Sequence, residues 1–327
     1  MTLWIKKLYS GGLITNYFCT SRCRHCLYNC SPYWSKEYID EKILHKNLSI
    51  IKELGVNTIH IGGGEPFLRI EQLKTVVKIL KSYHIPLEYI ETNSSWYKDS
   101  KTTYEILEEF YLIGVHTLLI SISPFHNEYI PFYKVQGVIK VAKDIGIEIF
   151  PWKQDFVSDI LKLNTNIPHS FKEFESLFGR DYLHFVESRY WIIPGGRALK
   201  TFRPIHKLFT LEELLEINNY GCQELENISH FHVDLYGKYI PGLCSGLAID
   251  VEDIGKPLDS KKYPIITTLH KEGIRGLYNF SKDYGFSPKM NGYWTKCELC
   301  NEIRCFLFDR FKEQFLELSP RGYYLYR

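Results

Sequence analysis

From residue 11 to residue 194 the hydrophobic pattern switches repeatedly between a short apolar run and a helical period, and this alternation restricts the fold more than any other feature. GGLITNYF (11–18), VNTIHIGG (56–63), LEYIET (87–92), VHTLLISIS (115–123), IEIFPW (147–152) and HFVESRYWIIP (184–194) read as strands. Helices are expected between them. Residues 40–54 start at Asp40 as N-cap, carry Leu44, Leu48 and Ile51 on one face, and stop at Gly55. Residues 70–84 place Leu73, Val76, Val77, Leu80 and Tyr83 at helical spacing before Pro86. Helices 101–114 and 131–146 stop at Gly114 and Gly146, and a weaker helical pair spans roughly 155–178. Six strands with helical crossovers predict an α/β fold, a parallel sheet curved into a partial (β/α)6 TIM-like barrel.

Beyond residue 200 the alternation ends. HFHVDLYGKYIPGLC (230–244) reads as a β-hairpin turning at Tyr236–Gly237, helical pieces follow over 263–283, and a last helix opens at Cys297. The expected organisation is a core domain over 1–200 and a smaller C-terminal α+β domain over 201–327.

In such sheets reactive groups sit in the loops that leave the C-terminal strand ends. The unusual residues fall there, strand by strand: the first cysteines, then GGGEP (62–66), TNSS (92–95), SPFHNEY (123–129), Trp152 and Lys153, and PGGR (194–197). One composite site explains this better than six coincidences.

The first loop reads CTSRCRHCLYNC (19–30), four cysteines spaced C-x3-C-x2-C-x3-C. The chain has nine cysteines, an odd number, clustered at 19–30 and 222–305, which argues against a pure disulfide framework. The N-terminus lacks the apolar stretch and cleavage site of a secretory signal, so a reducing cytoplasmic setting is expected, where clustered thiols bind metal. Thiolates suit iron–sulfur or zinc. A ferredoxin-like run, C-x2-C-x2-C-x3-C-P, offers a competing reading with Cys30 as fourth ligand, although the spacing of Cys19 and Cys23 differs. Net charge is +2 with no long basic run, which points away from nucleic acid, and no apolar stretch nears the about 18 residues of a membrane span.

C-x3-C-x2-C after a first strand, with GGGEP after the second, resembles the radical S-adenosylmethionine (radical SAM) enzymes. The resemblance covers residues 11 to about 197. It implies a [4Fe–4S] cluster on Cys19, Cys23 and Cys26, with one iron left free for SAM. Gly63, Gly64, Glu65 and Pro66 match the loop that holds the methionine amine in that family, and Asn93 and Ser123 sit where it often contacts SAM. Arg197 resembles an arginine of relatives with a C-terminal cluster domain. The implied activity is cleavage of SAM to a 5′-deoxyadenosyl radical that takes hydrogen from a peptide or small molecule. The implied electron source is an external donor such as a flavodoxin or ferredoxin. On this reading Cys30 is a bystander. His126 is a loop residue that could carry a proton, and Lys153 and Glu187 could face the cavity.

Cys222, a hairpin, Cys244, and then Cys297-x2-Cys300 opening a helix resemble the twitch and SPASM auxiliary-cluster domains. The resemblance implies a second [4Fe–4S] cluster on these four residues, with Cys305 spare, acting as an electron relay that favours net oxidation or cross-linking of the substrate. A structural zinc site on the same cysteines is the competing reading. The first strand starts by residue 11, which leaves no room before it for a leader-binding module of the kind peptide-modifying relatives often carry. Two other functions stay open at this level: an iron–sulfur electron carrier without SAM chemistry, and a zinc-stabilised binding protein.

Overall fold

The computed structural model describes residues 2–152, 154–289 and 291–327; Lys153, named above, lies outside them. Among the described residues eight strands form one sheet: β1 (Ser10–Ile14), β2 (Thr58–Gly62), β3 (Leu87–Thr92), β4 (Thr117–Ser121), β5 (Glu148–Trp152), β6 (Phe231–Asp234), β7 (Lys238–Ile240) and β8 (Ile249–Asp250). Their order is β5-β4-β3-β2-β1-β6-β7-β8. Strands β1 to β5 run parallel through helical crossovers, so the α/β partial barrel expected from the alternation is the fold observed.

The crossover helices follow their sequence signals. Helix α1 (Glu41–Glu53) begins where Asp40 accepts from the Ile43 N–H at 2.8 Å, and it buries Leu44, Asn47, Leu48 and Ile51. Helix α2 (Ile70–Ser82) buries Leu73, Val76, Val77 and Leu80, and helix α3 (Ser100–Leu112) buries Thr103, Leu107 and Phe110. The next crossover helix, Phe132–Ile145, ends at Gly146 in the left-handed conformation.

The segment expected as a sixth strand is a correction. Residues Tyr182–Arg189 are helical. Tyr182, Val186 and Tyr190 are the buried residues there, at a spacing of four, while Phe185 and Trp191 are exposed. Tyr182 packs against Phe171 and Phe174 of the helix Phe171–Phe178. Its hydroxyl and Arg189 both donate to Asp159. Aromatic richness looked like a strand, but burial every fourth residue requires a helix.

The sixth parallel strand comes instead from the C-terminal half. Strand β6 lies beside β1, with Gly12 opposite His232, and then turns through Leu235–Gly237 into antiparallel β7. Asp234 makes that turn by accepting from the N–H groups of Tyr236 and Lys238, and it also accepts from Tyr17 at 2.9 Å. Asn47 on α1 donates to the Asp234 carbonyl at 2.9 Å, tying the hairpin to the first crossover. The sheet therefore crosses the boundary expected near residue 200, and one apolar core runs from Leu3 to Tyr324. Among the described residues no helix is long and apolar enough to cross a membrane.

Candidate functional site

The loop 19–30 leaves β1 at the C-terminal edge of the sheet, and three other segments hold it, two of them at strand ends. The GGE segment is bonded straight onto its root: Gly64 N–H donates to Asn16 O at 2.8 Å and Glu65 N–H to Phe18 O at 3.1 Å. From the third strand end, Asn93 Nδ2 donates to Cys19 Sγ at 3.4 Å. Arg197 acts as a clamp. Its Nε donates to Cys23 O at 2.8 Å, its Nη2 to Cys30 O at 2.6 Å, and its backbone N–H to Cys26 O at 3.1 Å. Gly196 permits this approach: its φ is +51°, and a Cβ there would lie 2.3 Å from Cys26 O.

One cavity is lined by Cys19, Cys23, Cys26, Gly63, Gly64, Glu65, Pro66, Asn93 and Arg197. Of the residues expected around the first cysteine loop and SAM, all but Ser123 meet in this cavity. Ser123 does not line the cavity; it stands behind His126, which does, with Ser123 Oγ 2.7 Å from His126 Nδ1. Glu187, the other cavity candidate, pairs instead with His206 at 2.6 Å.

Cys30 lines the same cavity and is buried. Its thiol donates to Gly63 O at 3.9 Å, and its pairing with Cys26 draws Cys26 below the usual thiol range and pushes Cys30 above it. Burial pushes Cys19 up to about 12 and Cys23 well above its ordinary value. Desolvated thiols clustered in this way give up their protons to a metal rather than to water.

Two polar groups around the sulfurs have capacity to spare. Glu65 is fully buried, and its carboxylate accepts from Thr92 Oγ1 (2.9 Å), Asn93 N–H (2.7 Å) and Phe67 N–H (3.2 Å). Three bonds on about four acceptor positions leave one open on Oε2. Burial pushes Glu65 up to about 7 despite these bonds, the condition of a carboxylate that lacks a cation. Arg197 Nη1 is buried without a hydrogen-bond partner. An amino acid's ammonium and carboxylate would satisfy the two, so the residues present fit SAM beside a cluster on three cysteines.

Sequence reasoning passed over several cavity residues: Glu91 on β3, Ser121 and Ser21. Glu91 carried a signal, an acidic residue inside an apolar strand, and partial desolvation at the cavity wall raises its carboxyl above the ordinary value. His25 is stacked on Phe125 and lies 3.0 Å from the Tyr190 hydroxyl, and burial drives it well below the ordinary imidazole value.

Cys222, Cys244, Cys297 and Cys300 line a second cavity together with Lys296 and Arg304; Cys305 is not part of that lining. The Cys244 thiol donates to Cys222, lowering Cys222 and raising Cys244. Arg304 is buried and donates to Ser245 O at 2.8 Å. Four sulfurs flanked by two cations fit a fully ligated, negatively charged cluster; tetrahedral zinc would use the same four sulfurs. Tyr323 joins the two sites: its hydroxyl accepts from Gly196 N–H at 3.1 Å and donates to Asn301 at 2.9 Å, beside Cys300.

Comparison with known proteins gives a matching family description, "Radical SAM superfamily", over residues 13–152. The chain is 22% identical over 281 residues to "Putative peptide biosynthesis protein YydG" of Bacillus subtilis (strain 168), covering 81% of each chain. It is 29% identical over 151 residues to "Heme chaperone HemW" of Buchnera aphidicola subsp. Schizaphis graminum (strain Sg), covering 40% of each. Among solved structures, "Native anSMEcpe with bound AdoMet" aligns with a TM-score of 0.44 at 12% identity, covering 93% of this chain and 98% of that one. "Crystal structure of BtrN in complex with AdoMet and 2-DOIA" aligns with a TM-score of 0.41 at 13% identity, covering 74% and 75%.

Proposed function

Residues 13–152 are a radical SAM domain, and from that premise we propose that this enzyme modifies a peptide, using Cys19, Cys23 and Cys26 as the ligands of its SAM-binding [4Fe–4S] cluster. A single observation carries the assignment: these cysteines, the GGE loop, Asn93 and Arg197 line one cavity although they come from four separate segments. Similarity to the YydG protein over 81% of both chains supports a peptide as the substrate class.

When bound, the reduced cluster would supply one electron to the sulfonium of SAM, and cleavage of SAM would supply the oxidant that takes a substrate hydrogen. The chain's own residues position and screen this chemistry. Arg197 fixes three carbonyls of the cysteine loop and offers Nη1 to a carboxylate. Glu65 holds the third strand end through Thr92 and Asn93 and offers Oε2 to an ammonium. His25 and His126, both held neutral by burial, pack edge to face 4.9 Å apart and help to exclude water.

Cys222, Cys244, Cys297 and Cys300 hold a second cluster in this reading, placed to accept an electron from the substrate and so to favour net oxidation or cross-linking. The electron donor is an external flavodoxin- or ferredoxin-type protein. The test is anaerobic turnover of the iron-reconstituted enzyme with deuterated peptides. Deuterium is expected in 5′-deoxyadenosine. SAM cleavage that draws deuterium from a small molecule and from no peptide overturns the substrate class.

A further inference from the structure

Strands β2, β1 and β6 lie side by side, and their register sets His60, Gly12 and His232 in one row. The absence of a side chain at Gly12 lets two imidazoles on the same face close over it from either side. A Cβ there would lie 2.4 Å from His60 Nε2 and 2.8 Å from His232 Nε2. His230, just ahead of β6, brings a third ring: the centroids of His60, His230 and His232 are 5.3–5.5 Å apart. One nitrogen from each ring can be chosen so that all three lie within 4.8 Å of one another.

We propose that His60, His230 and His232 form a mononuclear site for a divalent first-row transition metal, separate from both cysteine sites. Three nitrogens on one zinc, at about 2.0–2.1 Å from it, stand about 3.4 Å apart in a tetrahedron, so small ring rotations close the site. Imidazole donors suit zinc or iron, and an all-nitrogen set sorts such ions from those that the thiolates take.

The polar surroundings support the assignment. His60 is 3% exposed, and its nearest charged neighbour, Glu91 Oε1, stands 4.0 Å from Nε2, beyond hydrogen-bond reach. The Tyr28 hydroxyl lies 2.9 Å from His232 Nδ1, which leaves Nε2, the nitrogen over Gly12, for the metal. Such an outer partner fixes the ring of a metal-ligating histidine. Tyr89 stacks on His60 at 5.0 Å and holds that ring as well. Glu91 is also the nearby candidate for a fourth ligand. Without Glu91, the fourth position would take a water or a substrate oxygen, as in open three-histidine sites.

The location gives the site its interest. Glu91 also lines the first cysteine cavity and His230 lines the second, so the metal would sit between the two.

The test uses the full chain with its iron sites already reconstituted. Zinc is added anaerobically, loose metal is removed, and zinc and iron are counted per chain, with X-ray absorption at the zinc edge to identify the ligands. About one zinc per chain, with nitrogen or oxygen neighbours at about 2.0 Å and an unchanged iron count, is expected. His230→Asn, at the half-buried position, should weaken zinc retention at least about tenfold while the melting temperature holds. Absence of retained zinc, or zinc with only sulfur neighbours at about 2.3 Å, overturns the site. Full retention in His230→Asn would leave the three rings as a packed layer and also overturn it. Iron content and SAM cleavage are read separately, so failure of the proposed function would show in them and not in the zinc signal.

Discussion

The two cysteine groups are assembled in opposite ways. The first lies within residues 19–30 and hangs on the end of β1. Its geometry is set by nearby backbone and by a few braces, chiefly Arg197 and the GGE loop. The second draws on Cys222, on Cys244 after the hairpin, and on Cys297 and Cys300 in the helix Lys296–Phe311. Its cavity exists only once β6 has joined β1 and that helix has packed. A local loop can be laid out by spacing alone, whereas a site gathered from three segments depends on long-range pairing and its loop-closure entropy. The first group should therefore tolerate damage to the second.

The sharpest way to break this contrast is inside the first loop. Cys26→Ala is expected to abolish SAM cleavage, while Cys30→Ala keeps it. Loss of the buried Cys30 sulfur costs about 1 kcal/mol, read as a melting temperature lower by a few degrees. Equal loss of SAM cleavage in both would make Cys30 a ligand. Its position in the same cavity makes this a demanding comparison.

Next in size is the double change Cys297→Ala, Cys300→Ala. About four of about eight irons should be lost, with SAM cleavage retained and substrate product missing. Parallel iron and product assays would refute separate roles if product survived.

Arg197→Met probes the brace rather than the sulfurs. Three backbone carbonyls lose or loosen their donor, and the Nη1 offered to a carboxylate disappears. An increase in KM for SAM of about 10- to 100-fold is expected, larger than any fall in iron content, with partial rescue by Arg197→Lys. A uniform loss of iron in both variants would assign Arg197 to folding alone.

The smallest effect lies in the C-terminal region. Glu317 is fully buried and accepts from Ile265 N–H at 2.7 Å, and burial pushes it up to about 7. Its unfolded value is about 4.3, so between those two values the native state keeps a proton that the unfolded chain releases. Stability should fall as pH rises through that window and level off above about 7. Glu317→Gln keeps an acceptor for Ile265 and should flatten the slope in a melting-temperature series from about pH 5 to about pH 8. An unchanged slope would acquit Glu317.

The regions also differ in how much of them could be read from sequence. Strands β1 to β5 and their crossovers follow from hydrophobic period, caps and glycine stops, because those signals act within one element. Residues 184–194 misled because aromatic and β-branched composition outweighed the four-residue spacing of Tyr182, Val186 and Tyr190. The pairing of β6 with β1 joins positions far apart in sequence, and no local signal carries it. Spacing and strand order pointed to Cys19, Cys23, Cys26 and the GGE loop. Contacts were beyond reach: the Arg197 clamp, the bonds that occupy Glu65, and Ser123 standing behind His126. The histidine row was hidden for the same reason as β6, since only the sheet brings His60 to His230 and His232.

The central claim is that the first cysteine group leaves an iron open to SAM and the second does not. Electron paramagnetic resonance of the reduced, iron-reconstituted protein tests it directly. Addition of SAM should change the signal of one cluster and leave the other untouched, and the SAM-sensitive signal should persist in the Cys297→Ala, Cys300→Ala protein. A spectrum indifferent to SAM, or a SAM-sensitive signal that vanishes with Cys297 and Cys300, would contradict the account.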